Sequence, residues 1–293
     1  VALVGRPNAG KSTLLNRFLA EKVAIVSDKA QTTRQRIIGI LTEPRGQLVF
    51  LDTPGLHRPL HELNRQMLRA AEEAMVEADV VCLVVDAGEP FGAGDAWTVE
   101  RLRSVSRPRL LALNKIDAVD KPRLLPLLER YGATELFADL VPLSARTGDG
   151  CDRLLARLWE FLPEGEPLYD AELVTLHSLR FLAAERIREK VLHLTRDELP
   201  HTTAVRLDAW EEEPGRDLVR LHATILVEKA SQKKIVVGRQ GAMVREIGRA
   251  ARLDLEDLLG RRVYLELFVR LEPGWREDAR VLAELERDLI ALR

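Results

Sequence analysis

Hydrophobic and polar positions alternate between two patterns over the first half of the chain. Between Val1 and about Leu162, short β-branched apolar runs are separated by segments in which apolar residues recur every three or four positions. The apolar runs cover residues 1–4, 47–51, 79–85, 109–113 and 140–143. This alternation predicts a mostly parallel, doubly wound sheet with helices on both faces, which is an α/β fold.

One pair of runs departs from that pattern. Residues 36–41 and 47–51 flank the turn-forming sequence Glu43-Pro44-Arg45-Gly46. A short turn of this kind joins neighbouring strands in opposite directions. We therefore expect one antiparallel strand at an edge of the sheet.

The helical pattern stops at Pro163-Glu164-Gly165-Glu166-Pro167, a polar stretch that is typical of a linker. It predicts two domains, residues 1–165 and 166–293. The second domain shows a long amphipathic helix at 174–195, strands near 202–210 and 218–228, two helices around Gly238, a strand at 263–270 and a terminal helix at 275–292. This order predicts an α+β module, with the terminal helix packed onto it.

The amino-acid composition is consistent with two packed cores, and the net charge limits how the protein can contact nucleic acid. The chain has 293 residues, of which 46% are hydrophobic and 31% charged, and its net charge is −2. Any nucleic-acid contact must therefore come from a local basic patch. Cys82 and Cys151 are isolated, which favours reduced thiols and a cytoplasmic location. The apolar run at 80–85 is too short to span a bilayer, and the chain begins in strand pattern without methionine, so we expect a preceding segment.

The first apolar run is followed by Gly5-Arg6-Pro7-Asn8-Ala9-Gly10-Lys11-Ser12 and then by Thr13 in helical register. This is the G-x-x-x-x-G-K-S phosphate-binding loop in its strand-to-helix context. Its glycines let successive backbone N–H groups face the phosphates, and Lys11 reaches the β- and γ-phosphate oxygens. Ser12 is expected to ligate Mg²⁺.

A second motif, Asp52-Thr53-Pro54-Gly55, follows the third strand. A carboxylate here can hold Mg²⁺ through water, and the Gly55 amide can meet the γ-phosphate. The motif alone is typical of a turn, and its position after a phosphate-binding loop favours the nucleotide site, so we expect Asp52, Thr53, Pro54 and Gly55 to contact nucleotide.

A base-reading motif, Asn114-Lys115-Ile116-Asp117, follows another strand. Asp117 can accept two hydrogen bonds from guanine, a pair of donors that adenine lacks. Lys115 would pack along the nucleotide, and Asn114 would tie this loop to the phosphate-binding loop. Ser144-Ala145-Arg146, after the last strand, would supply the Ala145 N–H to guanine O6.

These motifs, in this order over about residues 1–162, resemble the translation-factor class of small GTPases. Arg6-Pro7-Asn8-Ala9 and Gln31-Thr32-Thr33-Arg34 resemble the Era family. The resemblance implies GTP and GDP as ligands and Mg²⁺ as cofactor. It also implies that Thr33 is the switch threonine that meets Mg²⁺ and the γ-phosphate, with Thr32 as an alternative; a solvated pair of loop threonines is the non-functional interpretation.

The catalytic set implied by this resemblance is Lys11, Thr33 and Gly55. Leu56 stands where Ras-like GTPases carry a glutamine that orients the attacking water, so we expect slow intrinsic hydrolysis. Asn8 has two interpretations. In related GTPases an asparagine here can ligate K⁺, whereas a side-chain bond to the backbone would only fix the loop.

The second domain carries a further motif, Gly238-Arg239-Gln240-Gly241, after Ile235-Val236-Val237. Six basic residues against one acidic residue lie between Lys233 and Arg252. The run resembles the G-x-x-G loop of a KH domain, which binds four nucleotides of single-stranded RNA. Helix-capping glycines beside a solvated basic face are the alternative. The candidate RNA-binding residues are Lys233, Lys234, Ile235, Val237, Gly238, Arg239, Gln240, Gly241, Met243 and Arg245.

The combination of both domains resembles the Era family over essentially the whole chain. That resemblance implies a monomeric assembly factor that binds 16S ribosomal RNA near its 3′ end within the 30S subunit, with a peripheral contact at the inner membrane face left open. Three rivals remain: a binding module that holds nucleotide only for stability, a GTPase that assists a tRNA-modifying enzyme, and an ATP-using P-loop enzyme.

Overall fold

The structure, a computed structural model, describes residues 1–196, 199–212, 215 and 217–290. The chain divides into two compact units. The first comprises Val1–Leu60 and Asn64–Leu176, and the second comprises His61–Leu63 and His177–Arg293. No helix among the described residues is long and apolar enough to cross a membrane.

A six-stranded sheet forms the first unit. Its strands are β1 Ala2–Val4, β2 Ile37–Glu43, β3 Gly46–Asp52, β4 Val81–Asp86, β5 Arg109–Asn114 and β6 Asp139–Pro142, in the spatial order β2-β3-β1-β4-β5-β6. Its helices are α1 Lys11–Leu19, α2 Glu62–Glu77 from Asn64 onwards, α3 Ala93–Arg103, α4 Leu124–Gly132 and α5 Cys151–Glu160. All strand pairs are parallel except β2 with β3. The predicted α/β fold with one antiparallel edge strand is confirmed.

Burial explains why the central strands read as continuous apolar runs. Ala2, Leu3 and Val4 of β1 have no exposed surface, because β1 lies between β3 and β4 with helices on both faces. Both cysteines are buried and free.

Because β1, β3 and β5 run parallel in the sheet, their carboxyl ends meet at one edge. Each of these three strands is followed by one of the nucleotide motifs.

The two units divide at Leu176 and His177, later than the boundary predicted at residue 165. The intervening segment hydrogen-bonds to the edge strand β2: Ile40 N–H donates to Val174 O (2.7 Å), and Thr175 Oγ1 donates to Ile38 O (2.6 Å). A Pro- and Gly-rich stretch marks a break in helix, but it does not reveal that the following residues pair with a strand.

A three-stranded sheet and five helices form the described part of the second unit. The strands are β7 Thr203–Glu212, β8 Leu218–Val227 and β9 Arg262–Leu271; β7 and β8 are antiparallel, and β8 and β9 are parallel. The helices are α6 Leu179–Leu194, α7 Leu199–Thr202, α8 Ala230–Val237, α9 Ala242–Leu259 and α10 Ala279–Glu286. The predicted α+β module is confirmed.

Two helix boundaries differ from the prediction. Helix α6 begins at Leu179, not at 174, because Ser178 caps it by accepting a hydrogen bond from Phe181 N–H (3.0 Å). The terminal helix α10 begins only after Asp278, whose side chain accepts from the N–H groups of the first turn, and it ends at Glu286 and not at 292. The last three residues of the chain lie outside the described residues.

Candidate functional site: a nucleotide cleft and a G-x-x-G loop

The phosphate-binding loop joins β1 to α1 and places Lys11 at the start of the helix. Gly5 and Gly10 have positive φ angles of 149° and 95°. A side chain at Gly5 would overlap the Val84 carbonyl, and one at Gly10 would overlap the Asn114 amide. The loop can therefore wrap tightly only because glycine stands at both positions.

Lys11 is buried in this loop. Its ammonium donates to the carbonyl oxygens of Gly5 (3.2 Å) and Arg6 (3.1 Å). Burial lowers the pKa of Lys11 to about 8, against the opposing effect of the Asp52 charge. A desolvated cation held by two neutral carbonyls would gain strongly from an anionic phosphate at the same place.

The loop borders a cleft of 410 Å³. Its lining includes residues from the phosphate-binding loop, from the segment 25–33 and from the loops that follow β3 and β5: Pro7, Asn8, Gly10, Lys11, Ser12, Thr13, Thr33, Gly55 and Lys115. The structure thus brings the predicted phosphate-binding and switch residues together around one cavity.

Three oxygen-bearing side chains converge at the side of Lys11. Ser12 Oγ lies 2.6 Å from Asp52 Oδ2 and 2.8 Å from Thr33 Oγ1. Asp52 Oδ1 is buried and has no hydrogen-bond partner in the part of the chain that the structure describes, and burial raises the pKa of Asp52 to about 6. Two hydroxyls and an under-satisfied carboxylate are ligands that Mg²⁺ prefers, so these residues fit the cation.

The two threonine candidates have different partners. Thr33 meets Ser12, whereas Thr32 Oγ1 donates to the backbone oxygen of Lys29 (2.6 Å). The geometry therefore favours Thr33 as the switch threonine and gives Thr32 a role in shaping its loop.

The segment after β3 approaches the phosphate-binding loop closely at Gly55. A Cβ at Gly55 would lie 2.6 Å from the Pro7 nitrogen, and the Leu56 N–H donates to Gly5 O (2.9 Å). Thr53 and Pro54, which we expected to contact nucleotide, do not line the cleft; Thr53 Oγ1 instead donates to Leu3 O (2.8 Å) and ties the segment to β1. Leu56 is 2% exposed and packs in the core.

His57 is a residue of this segment that the sequence did not single out. Its Nδ1 lies 2.7 Å from Gly55 O, and its Nε2 faces the side-chain amides of Asn64 and, at 3.4 Å, of Gln31. The ring therefore connects Gly55 to the segment that carries Thr33. Nothing in the residue pattern, beyond its position next to Leu56, pointed to this role.

The base-reading loop is held by Asn114, as predicted. Asn114 Nδ2 donates to Ala9 O (2.8 Å), and Asn114 Oδ1 accepts from Ala145 N–H (2.9 Å). The Ala145 amide expected at guanine O6 is thus engaged with Asn114. Lys115 has a left-handed backbone (φ 67°), and its ammonium pairs with Asp86 Oδ2 (2.6 Å).

The Asp117 carboxylate points towards Ser144 and Arg146, and it accepts hydrogen bonds from both side chains. The hydrogen bond from Ser144, together with Arg146, lowers the pKa of Asp117. The Arg146 side chain is 76% exposed, so its ion pair contributes little, and guanine N–H groups could replace it at small cost.

A second set of residues that the sequence pattern did not identify holds the phosphate-binding loop through Arg6. The Arg6 guanidinium donates to Asp95 Oδ2 (3.0 Å), and the Tyr131 hydroxyl donates to Asp95 Oδ1 (3.2 Å). Burial raises the pKa of Tyr131, so its hydroxyl remains a donor. These residues are far apart in sequence, and only the fold brings them together.

In the second unit, the G-x-x-G loop lies between α8 and α9 as predicted. Gly238 and Gly241 have φ angles of 73° and 77°, and a Cβ at Gly238 would lie 2.7 Å from the Met243 Cβ. Met243 packs partly buried against the core. Five polar candidates are exposed around the loop: Lys233, Lys234, Arg239, Gln240 and Arg245. Ile235 is 51% exposed and Val237 half-buried, so neither is a core residue.

Comparison with known proteins finds a matching family for each of the two parts of the chain. Residues 1–115 match the family described as a 50S ribosome-binding GTPase, and residues 198–276 match the KH domain family. The chain is 47% identical to GTPase Era of Syntrophus aciditrophicus, over 97% of this chain and 93% of that protein. It is 45% identical to GTPase Era of Geobacter metallireducens, over 97% of this chain and 96% of the relative.

Solved structures give the same result. The structure of an Aquifex aeolicus Era variant bound to GDP and AlF₄⁻ superposes with a TM-score of 0.94 at 37% identity, covering 98% of both chains. Era in complex with MgGDPNP and nucleotides 1506–1542 of 16S ribosomal RNA superposes with a TM-score of 0.95 at 37% identity, again over 98% of each chain. The chain therefore belongs to the GTPase Era family.

Proposed function

We propose that this protein binds and hydrolyses GTP with Mg²⁺, and that its KH domain binds 16S ribosomal RNA near the 3′ end during assembly of the 30S subunit. One observation carries the proposal: Lys11, Ser12 and Thr33 line one cleft, Asp52 accepts a hydrogen bond from Ser12, and Asn114 holds the base-reading loop to Ala9. The relative solved with MgGDPNP and 16S ribosomal RNA supports both ligands.

The residues in and beside the cleft would have different roles in hydrolysis. Lys11 would place its positive charge on the β- and γ-phosphate oxygens, where charge develops in the transition state. Ser12, Thr33 and Asp52 would hold Mg²⁺, which supplies further charge neutralisation when bound. Gly55 lies against the phosphate-binding loop and would direct its N–H to the γ-phosphate. Because Leu56 is apolar and buried, its side chain cannot hydrogen-bond to the attacking water, and we expect slow intrinsic turnover.

GTP turnover by the purified protein tests the enzymatic half of this proposal. Lys11→Ala should reduce turnover by at least about a hundredfold, since it removes a buried charge that stabilises the transition state. Lys121→Ala, an exposed lysine of the same unit, is the matched control and should leave the rate unchanged. Equal rates for the unaltered protein and Lys11→Ala would mean that nucleotide is held only for stability.

Asn8 supports a secondary proposal, that K⁺ accelerates hydrolysis. Asn8 Nδ2 donates to Asp28 O (2.7 Å), which fixes the loop, while the residue also lines the cleft. This bond uses the amide nitrogen, whereas a cation needs the carbonyl oxygen, so the two roles are compatible. Faster turnover in K⁺ than in Na⁺, lost in Asn8→Ala, is the expected result; equal rates in both salts would refute it.

We also place the protein in the cytoplasm, as a monomer. Two buried free thiols suit a reducing compartment. A peripheral membrane contact stays a hypothesis, and sedimentation with anionic lipid vesicles would test it.

A further inference from the structure

Asp95 is a buried carboxylate in the first turn of α3, and it accepts three hydrogen bonds. One comes from the N–H of Gly92, which precedes the helix (3.0 Å). The other two come from Arg6 of the phosphate-binding loop, at Oδ2 (3.0 Å), and from the Tyr131 hydroxyl of α4, at Oδ1 (3.2 Å). The Asp95 side chain is 7% exposed. A buried carboxylate that meets three donors is held in one orientation.

Tyr131 supports this carboxylate from α4. The residue is 1% exposed, and its ring lies edge-on to Phe91 and to Phe137, with centroid distances of 5.2 Å and 6.3 Å. Packing against two rings fixes the direction in which the hydroxyl points. Two helices, α3 and α4, therefore determine where the Asp95 oxygens lie.

The Arg6 side chain reaches Asp95 across the backbone of α3. A Cβ at Gly94 would lie 2.9 Å from Arg6 Nε and 3.2 Å from Arg6 Cζ, so the guanidinium lies directly against the helix. Glycine leaves room for the arginine at the residue next to the carboxylate that binds it. Because Asp95 is buried, solvent screens this ion pair less than it screens a pair on the open surface.

The backbone of Arg6 belongs to the nucleotide site. Its carbonyl oxygen accepts from the Lys11 ammonium (3.1 Å) and from the Ala9 N–H (3.4 Å). Arg6 is thus held by α3 at its side chain, and at its carbonyl it holds the lysine that would bind phosphate oxygens. A shift of Arg6 would move this lysine and the loop N–H groups, and a misplacement of about 1 Å at a reacting group can cost about a hundredfold.

We infer that Asp95 and Tyr131 are positioning residues for nucleotide binding, which act through the Arg6 side chain to place the phosphate-binding loop and Lys11. The inference rests on the proposed binding of guanine nucleotide. The loop would meet the β-phosphate, which GDP and GTP share, so breaking this network should weaken both nucleotides by the same factor. In this respect it differs from Gly55, whose N–H would meet only the γ-phosphate.

A double-mutant cycle separates this role from a purely structural one. Affinities for GDP and for a non-hydrolysable GTP analogue are measured by calorimetric titration for Arg6→Ala, Asp95→Ala and the double variant. Each single variant should weaken both nucleotides about tenfold, the effect of losing one charged hydrogen bond. Because Asp95 acts through Arg6, the double variant should bind no more weakly than either single variant.

Further variants control for folding. Tyr131→Phe removes only the hydroxyl and should weaken both nucleotides about threefold, as expected for one hydrogen bond. Glu72→Ala breaks a different ion pair of α3, between Arg101 and Glu72 of α2 (2.6 Å), and it should leave both affinities unchanged. Unfolding temperatures are measured without nucleotide. Asp95→Asn, which keeps the shape of the side chain and loses its charge, replaces Asp95→Ala in the cycle if the alanine variant does not fold.

Unchanged affinities in both single variants would overturn the inference, and so would losses that multiply in the double variant or that affect the GTP analogue alone. Asp95 and Tyr131 would then serve only the stability of the fold. Failure of the unaltered protein to bind either nucleotide would instead overturn the proposed function, and this inference with it.

Discussion

We propose that selection of the base depends most directly on Asp117. Its carboxylate accepts a hydrogen bond from Ser144 and lies beside the exposed Arg146, whose ion pair stabilises the carboxylate only weakly. Guanine offers N1–H and a 2-amino group to this carboxylate, and adenine offers neither. A polar group built to meet two donors rejects a ligand that leaves it unpaired.

Asp117→Asn should therefore exchange the preferred base. An asparagine presents one acceptor and one donor, which match N1–H and the C2 carbonyl of xanthine. We expect the affinity for GTP to fall by up to about 10⁴-fold, so that XTP becomes the better ligand. Competition binding with GTP, XTP and ATP measures this, and retained preference for GTP would contradict the assignment of Asp117.

Lys11 gives nucleotide binding a characteristic dependence on pH. Its pKa is lowered to about 8 by burial in the ligand-free protein, and a bound phosphate raises it again by attraction. Because the complex holds the proton more tightly than the free protein, affinity is full below pH 8 and falls as pH rises through that value.

The expected slope is about tenfold in GDP affinity per pH unit above pH 8, the slope for loss of one proton. Calorimetric titration between pH 7 and 9 measures it. Lys11→Ala is the control, which should bind weakly and without this slope. An affinity for GDP that stays level up to pH 9 in the unaltered protein would show that Lys11 is not the titrating group.

At the scale of elements, we propose that hydrolysis depends on how closely the segment after β3 can approach the phosphate-binding loop. A Cβ at Gly55 would lie 2.6 Å from backbone and 2.7 Å from side-chain atoms of Pro7. Gly55→Ala should therefore keep this segment away from the γ-phosphate. Nucleotide binding through Lys11 and Asp117 should persist.

For Gly55→Ala we expect GDP affinity within about threefold of the unaltered protein and turnover reduced by about a hundredfold, as for loss of one donor to the developing charge. Single-turnover assays with saturating enzyme separate the two effects. A variant that hydrolyses GTP at the normal rate would show that this close approach is not required.

Helices, strands and turns could be predicted from the sequence where the spacing of hydrophobic residues and the position of turn-forming residues agree. The strands of the first unit, its antiparallel edge and the G-x-x-G loop follow local rules, because glycine, proline and β-branched residues act within a few positions. The domain boundary did not follow, because Val174 and Thr175 hydrogen-bond to β2, and Tyr169 to Gln47 of β3, far away in sequence. Arg6, Asp95 and Tyr131 are likewise joined only by the fold.

At the scale of the whole molecule, a guanine-nucleotide unit and a KH domain in one chain indicate a switch. The γ-phosphate would order the segments around Thr33 and Gly55, which contact Ser12 and the phosphate-binding loop. A ligand can shift such an equilibrium only by its different affinity for the two states. RNA affinity must then depend on the nucleotide.

The most direct test is the affinity of the intact protein for a 16S ribosomal RNA 3′-end fragment, at one fixed salt concentration, with a non-hydrolysable GTP analogue, with GDP and without nucleotide. We predict the tightest binding with the analogue, by at least about fivefold, the lower end of typical allosteric coupling. Equal affinity in all three states would contradict the switch and would mean that GTP hydrolysis and RNA binding are independent activities of one chain.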